Sequence, residues 1–169
     1  MKSVIKIFLV VVLLNITLTD NTVAQTPSAK SGLPLPRFVS LRHDVAKMRT
    51  GPGVRYPVDW VYKRLQMPME VIHEFGTWRK VRDFQGTEGW MHLSQLSNKR
   101  SIAVTGQTRN LRSTADSTSP AVARVEPGSV GKIDQCKKDR GWCKVSFGEY
   151  EGWLRRAETW GTYPDENIK

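Results

Sequence analysis

The chain has little with which to do covalent chemistry. Its three histidines, His43, His73 and His92, stand 30 and 19 residues apart, and no Asp or Glu clusters with them. No pair has the local spacing of a metal site, so no metal is expected. Asp44 adjoins His43, but neighbours on a strand point to opposite faces, so it cannot orient that ring. A cysteine nucleophile needs a free thiol, and the only two cysteines, Cys136 and Cys143, are read as a pair. Glycine-rich phosphate loops are also missing. These absences exclude most enzyme classes, and neither a catalytic activity nor a cofactor is expected.

Long apolar runs are missing too. The one candidate, Ile7 to Leu14, is much shorter than the ~20 residues a spanning helix needs. Lys2 and Lys6 precede it and the small residues of Thr22-Val23-Ala24 follow. This is the layout of a secretory signal peptide, residues 1–24, cleaved near Ala24, with an uncleaved anchor as the alternative. No Cys lies near that site, so a lipid anchor is not expected, and after cleavage no integral membrane segment remains. Cleavage leaves 145 residues, enough for two domains of ~60 residues, each marginal alone.

Positive charge is what the chain has in excess, a formal +10, of which the mature part keeps about +9. In the cytosol that would suggest nucleic acid. Outside the inner membrane the abundant anions are phospholipids, lipopolysaccharide and cell-wall carboxylates, so nucleic acid is not expected as a partner. Such charge attracts anionic surfaces weakly and without choosing one, or serves solubility alone. Export also makes Cys136 and Cys143 a disulfide candidate. Lys138 to Gly141 reads as the hairpin turn between them. With a two- or four-residue loop the cysteines face each other. A three-residue loop with Gly141 in a bulge would put them on opposite faces.

The chain repeats itself. Trp78-Arg79-Lys80-Val81, Gly86 and Gly89-Trp90 are answered by Trp142-Cys143-Lys144-Val145, Gly148 and Gly152-Trp153. Met48-Arg49 is likewise answered by Leu111-Arg112. A spacing near 63 residues exceeds the ~20–50 of solenoid units and fits a duplicated small domain. Residues 25–37, rich in Pro, Ser and Gly, form a leader, either a simple linker or a polyproline II segment at Leu33 to Pro36. The first domain is placed at 38–97 and the second at 102–160, with a basic linker through Asn98, Lys99 and Arg100 and an acidic tail, 161–169, expected to fray.

Within each copy the signals are short strands bounded by Gly or Pro, such as Val58 to Tyr62, Glu70 to Phe75, Ala121 to Val125 and Trp142 to Phe147. The fold class is all-β, two small β-barrels in tandem. Trp78 and Val81 have opposite parity on one strand, as do Trp142 and Val145. Either a bulge intervenes or the Trp lies at a rim, where an exposed aromatic marks a contact surface. Gly89 and Gly152 imply close backbone approach or a bend.

These residues resemble the bacterial SH3 (SH3-like) domain family. The pattern is carried by Met48-Arg49-Thr50-Gly51-Pro52-Gly53-Val54-Arg55-Tyr56-Pro57, by Trp78 to Val81 and by Gly86-Thr87-Glu88-Gly89-Trp90-Met91. Lys47 replaces the usual Asn. The second copy keeps Asn110-Leu111-Arg112 but has Thr114-Ala115-Asp116 in place of Gly-Pro-Gly. More narrowly, the chain is similar to exported tandem-SH3 proteins of Gram-negative bacteria, chiefly alphaproteobacteria. The resemblance implies two tandem SH3-like barrels with no assigned reaction. Other bacterial SH3 domains target cell-wall hydrolases to peptidoglycan or bind proteins, although a hydrolase domain is not expected in this chain.

A ligand surface is expected on the first copy: Arg49, Arg55, Trp60, Tyr62, Trp78 and Arg79. Aromatic faces bind sugar rings or prolines, and arginine grips carboxylates through two parallel bonds. Trp90 and Tyr56 are assigned to the core instead, because so small a barrel must bury large side chains. The function expected is a non-enzymatic, periplasmic binding module for peptidoglycan or its peptides. The alternative is a protein–protein adaptor of the cell envelope.

Overall fold

The computed structural model describes residues 31–137 and 141–169. The expected signal peptide, residues 25–30 of the expected leader and the turn residues Lys138, Asp139 and Arg140 lie outside the described residues. The first half holds Arg37–Leu41 (β1), Ala46–Arg49 (β2), Val58–Tyr62 (β3), Pro68–Phe75 (β4), Trp78–Arg82 (β5), Glu88–His92 (β6) and Leu96–Ser97 (β7). The second holds Ser101–Val104 (β8), Arg109–Arg112 (β9), Ala121–Val125 (β10), Val130–Cys136 (β11), Trp142–Phe147 (β12), Tyr150–Arg155 (β13) and Thr159–Trp160 (β14). A single 3-10 turn precedes the last strand of each half, Leu93–Gln95 and Arg156–Glu158.

Strand order is β3-β2-β6-β5-β4-β1-β7 in one sheet and β10-β9-β13-β12-β11-β8-β14 in the other. The two orders are identical once seven is added to each strand number, so the duplication extends to topology. The protein is all-β, as expected, but the hydrogen-bonded ladders are open rather than closed barrels. β3 and β7 are the two edges of the first sheet, and β10 and β14 those of the second.

The alternation of β5 decides what its tryptophan does. Burial runs inward at Arg79 and Val81 and outward at Trp78, Lys80 and Arg82. β5 pairs with β6 without a break from Trp78↔His92 to Arg82↔Glu88, so Trp78 is a rim residue. The bulge lies on β4 instead, where the register shifts between Val71 and His73. In the second sheet it recurs on β11 between Ile133 and Gln135.

With Trp78 and Trp90 turned outward, the first core is filled by other means. Met48, Met67, Met69 and Met91 are all buried in it beside Leu41, Val71 and Val81. Unbranched thioethers fill irregular space without the area of an indole. This corrects the assignment of Trp90 to the core: it alternates outward on β6 between the buried Gly89 and Met91. Tyr56 is half-buried over a loop, and Tyr62 is the aromatic that enters the core, at 5% exposure. The second core uses Ile102, Val104, Leu111, Ile133, Val145 and Leu154 around the disulfide.

Two glycines are required by a strand crossing. A Cβ on Gly89 would lie 2.6 Å from Met48 Cγ and 3.0 Å from the Arg49 carbonyl oxygen. A Cβ on Gly152 would lie 2.6 Å from the Arg112 oxygen and 2.7 Å from Leu111 Cγ. Close approach is therefore what the repeated Gly-Trp encodes.

The acidic tail is docked rather than frayed. Ile168 forms a bridge to Cys136, with N–H to O bonds of 2.9 Å in both directions. Arg156, buried on its 3-10 turn, donates to the carbonyls of Tyr163, Pro164, Glu166 and, at 3.2 Å, Lys137. Glu166 accepts from Arg100 and forms an ion pair with it. Docking brings the two halves together. Phe38 meets Trp160 edge-on at 4.8 Å and Tyr163 at 4.7 Å, while Tyr163 Oη donates to Glu70 Oε1 at 2.9 Å.

This tail should respond to acid. Burial pushes the Glu166 carboxyl up, but the hydrogen bonds and charge of Arg100 outweigh it and hold it below its ordinary 4.5. A lowered folded pKa gives stability that is full above the unfolded value and lost as pH falls through the folded one. Residues 161–169 should therefore lose amide protection, corrected for intrinsic exchange, as pH falls below the ordinary carboxylate value of 4.5. Unchanged protection on acidification would refute the assignment of tail docking to this pair.

Candidate functional site

The six residues expected to form a surface fall into four places. Arg49, at the end of β2, donates through Nη1 to the Tyr56 carbonyl at 2.7 Å and so holds the loop 50–57 against the sheet. Arg112 does the same in the second copy, donating to the Ser119 carbonyl at 2.6 Å. The repeated arginine is thus part of the framework. Its loop differs between copies. In the first, the Tyr56 ring packs so closely that a Cβ on Gly51 would lie 2.4 Å from it. In the second, Asp116 Oδ1 instead accepts from the Thr118 N–H at 2.7 Å.

Arg55 is exposed on that loop, its guanidinium 5.3 Å from the Tyr56 ring centre. Trp60 stands on the free edge strand β3 and is 53% exposed. Val58 and Val61 are also exposed there, so this edge presents an aromatic and two β-branched side chains. Trp60 lies 6.4 Å from Tyr62, whose hydroxyl donates to the buried Asp83 at 3.0 Å. Burial, then the charge and hydrogen bond of Asp83, push the Tyr62 pKa above its ordinary value. Tyr62 is therefore a support for Trp60 and not itself open to a ligand.

Trp78 is half-buried at the rim and meets His92 edge-on at 5.4 Å. The corresponding Trp142 carries the Arg155 guanidinium at 5.4 Å. Arg79 points the other way. It is buried, its Nε 3.1 Å from Glu74 Oε1, and its Nη1 donates to the carbonyls of Gly76 and Trp78 at 2.9 Å. The Glu74 side chain is only 1% exposed and pairs with Arg37 as well. The structure thus places Arg79 inside the fold, occupied by partners of its own.

The cysteines stand where this ion pair stands. Register pairs Glu74 with Arg79 in one sheet and Cys136 with Cys143 in the other, one position after each bulge. Cys136 and Cys143 form a disulfide across 4.3 Å of Cα separation, so the face-to-face alternative holds. Sequence reading missed the equivalence because Glu74 lies outside the repeated motif. It also missed Arg156, whose position in the first copy is the exposed Leu93.

Among the described residues no group of His, Cys, Asp and Glu could hold a metal, and no helix is long and apolar enough to cross a membrane. The disulfide fits an oxidising compartment, extracellular or periplasmic.

The bacterial SH3 domain matches the chain twice, at residues 43–98 and 105–161. No curated protein is significantly similar. Two solved structures from Trichomonas vaginalis show a likeness. NlpC2 is 11% identical over 75% of this chain with a TM-score of 0.34. NlpC1 is 14% identical over 78% of this chain, also with a TM-score of 0.34. The chain covers 48% of each of them, about half their length. At that TM-score neither likeness bears on what this protein does.

Proposed function

The chain belongs to the bacterial SH3 domain family, of which it carries two tandem SH3-like copies, and from that we propose a non-enzymatic binding module of the periplasm that recognises peptidoglycan or its peptides. Export with cleavage near Ala24 belongs to this reading. The observation that carries it is the free edge of the first sheet, where exposed Trp60 stands between Val58 and Val61 and follows the exposed Arg55. An indole face suits a sugar ring, and a guanidinium suits the carboxylates of stem peptides. Arg49 and Tyr62 support this edge through the loop and the core, Arg79 is held inside the fold by Glu74, and Trp78 adds an aromatic at the rim.

What favours the adaptor alternative is the docked tail. Phe38, Trp160 and Tyr163 join the copies, so that both could present one surface to an envelope protein.

Co-sedimentation with purified, protein-free peptidoglycan separates the two readings. At ~0.15 M salt, where the Debye length is about 8 Å, the mature protein should bind saturably. Trp60→Ala, with its side chain already half in solvent, should keep the fold and weaken binding about tenfold, on the order of one aromatic contact. Binding unchanged by Trp60→Ala but abolished by salt would reduce the interaction to bulk charge. No binding by a folded, monodisperse protein would favour the adaptor.

A further inference from the structure

The second copy carries a groove whose lining the first copy does not share. It lies between β9, the opening of β12 and the 3-10 turn Arg156–Glu158, a cavity of about 300 Å³. Its walls include Arg109, Asn110, Arg112, Trp142, Arg155 and Glu158. Three guanidinium groups thus face one carboxylate among the described lining residues.

Arg112 is committed to the fold through its bond to Ser119. Arg155 is exposed and lies over the Trp142 ring. Arg109 reaches Glu158 only at 3.5 Å, and its buried Nε has no hydrogen-bond partner among the described residues. A planar guanidinium fork is best met by a carboxylate.

The first copy shows the same place without this chemistry. Ala46 stands for Arg109, His92 for Arg155 and Gln95 for Glu158. There the Gln95 side chain is tied to the Lys47 backbone, accepting from its N–H at 2.7 Å and donating to its carbonyl at 3.0 Å. A neutral amide stands at this place in the first copy, while charged side chains line the groove of the second.

We propose that the groove of the second copy binds the terminal carboxylate of a short peptide. Arg109 and Arg155 donate to the carboxylate, the Asn110 amide meets the peptide backbone, and the half-buried Trp142 forms an apolar wall. The volume is at the lower end of ligand pockets and suits two or three small residues. This site is separate from the Trp60 edge. It does not depend on the cell-wall reading, because a free peptide carries the same carboxylate.

The test titrates the mature, full-length chain with acetyl-trialanine, as the free acid and as the C-terminal amide, and follows backbone amide shifts. The acid should give saturable shifts at Arg109, Asn110, Trp142 and Arg155, and the amide should bind at least about tenfold more weakly, the loss expected for a charge-assisted contact. The double variant Arg109→Ala/Arg155→His installs the residues of the first copy, which folds with them, and should lose a similar factor. Equal response to acid and amide, or no saturable response to the acid, would overturn the proposal. So would acid binding by a folded double variant at the strength of the original. Should the variant not fold, the acid-against-amide comparison decides alone.

Discussion

Glu74→Ala will destabilise the first copy by about 3–5 kcal/mol, the cost of removing one partner from a buried ion pair. The carboxylate is 1% exposed and is shared by Arg37 and Arg79, whose side chains are 16% and 11% exposed. Its loss leaves two arginines buried without the charge that compensates them. Thermal unfolding followed by circular dichroism will read the loss, and a shift equivalent to under ~1 kcal/mol would mean that solvent screens this pair as it does surface pairs. The second copy supplies the rescue. Glu74→Cys/Arg79→Cys puts two thiols at the register position of Cys136 and Cys143. That chain should form a second disulfide and show no free thiol under denaturing alkylation. Two titratable thiols would contradict the structural equivalence of the two pairs.

Arg156→Ala should cost about 3 kcal/mol, on the scale of several charge-assisted bonds lost together. The guanidinium is the common donor to Tyr163, Pro164, Glu166 and Lys137, so its removal frees the tail as a unit. Tyr163 then loses its place beside Phe38 and Glu70, and the joint between the copies loosens. Limited proteolysis should cut the variant within residues 161–169 at protease levels that leave the parent intact. A variant as resistant as the parent would show that Ile168 and Arg100 hold the tail without Arg156.

Much of the fold was legible because a duplication states it twice. Trp78 and Trp142, Gly89 and Gly152, and Arg49 and Arg112 recur because each does the same mechanical task in both copies: rim aromatic, strand crossing and loop anchor. The expected surface was legible only in part. Arg79 is adjacent to Trp78 in sequence, yet strand parity turns it into the core, where it meets Glu74 from outside the motif. Tyr62 and Trp90 exchanged their expected places because four methionines fill the first core and leave no room for an indole. Local composition cannot announce that exchange, since it depends on which face each of several strands buries. The tail was misread for a related reason. Its anchor is a single arginine, one of many in a basic chain, and only the convergence of four carbonyls distinguishes it.

The most direct measurement is a two-dimensional amide spectrum of the mature chain titrated with soluble peptidoglycan fragments that carry free stem-peptide carboxylates. Shifts should saturate and concentrate on residues 55–61 of the first copy and around Arg109, Trp142 and Arg155 of the second, leaving both cores unmoved. No saturable shift in either place, from a folded and monomeric protein, would contradict a cell-wall-binding module.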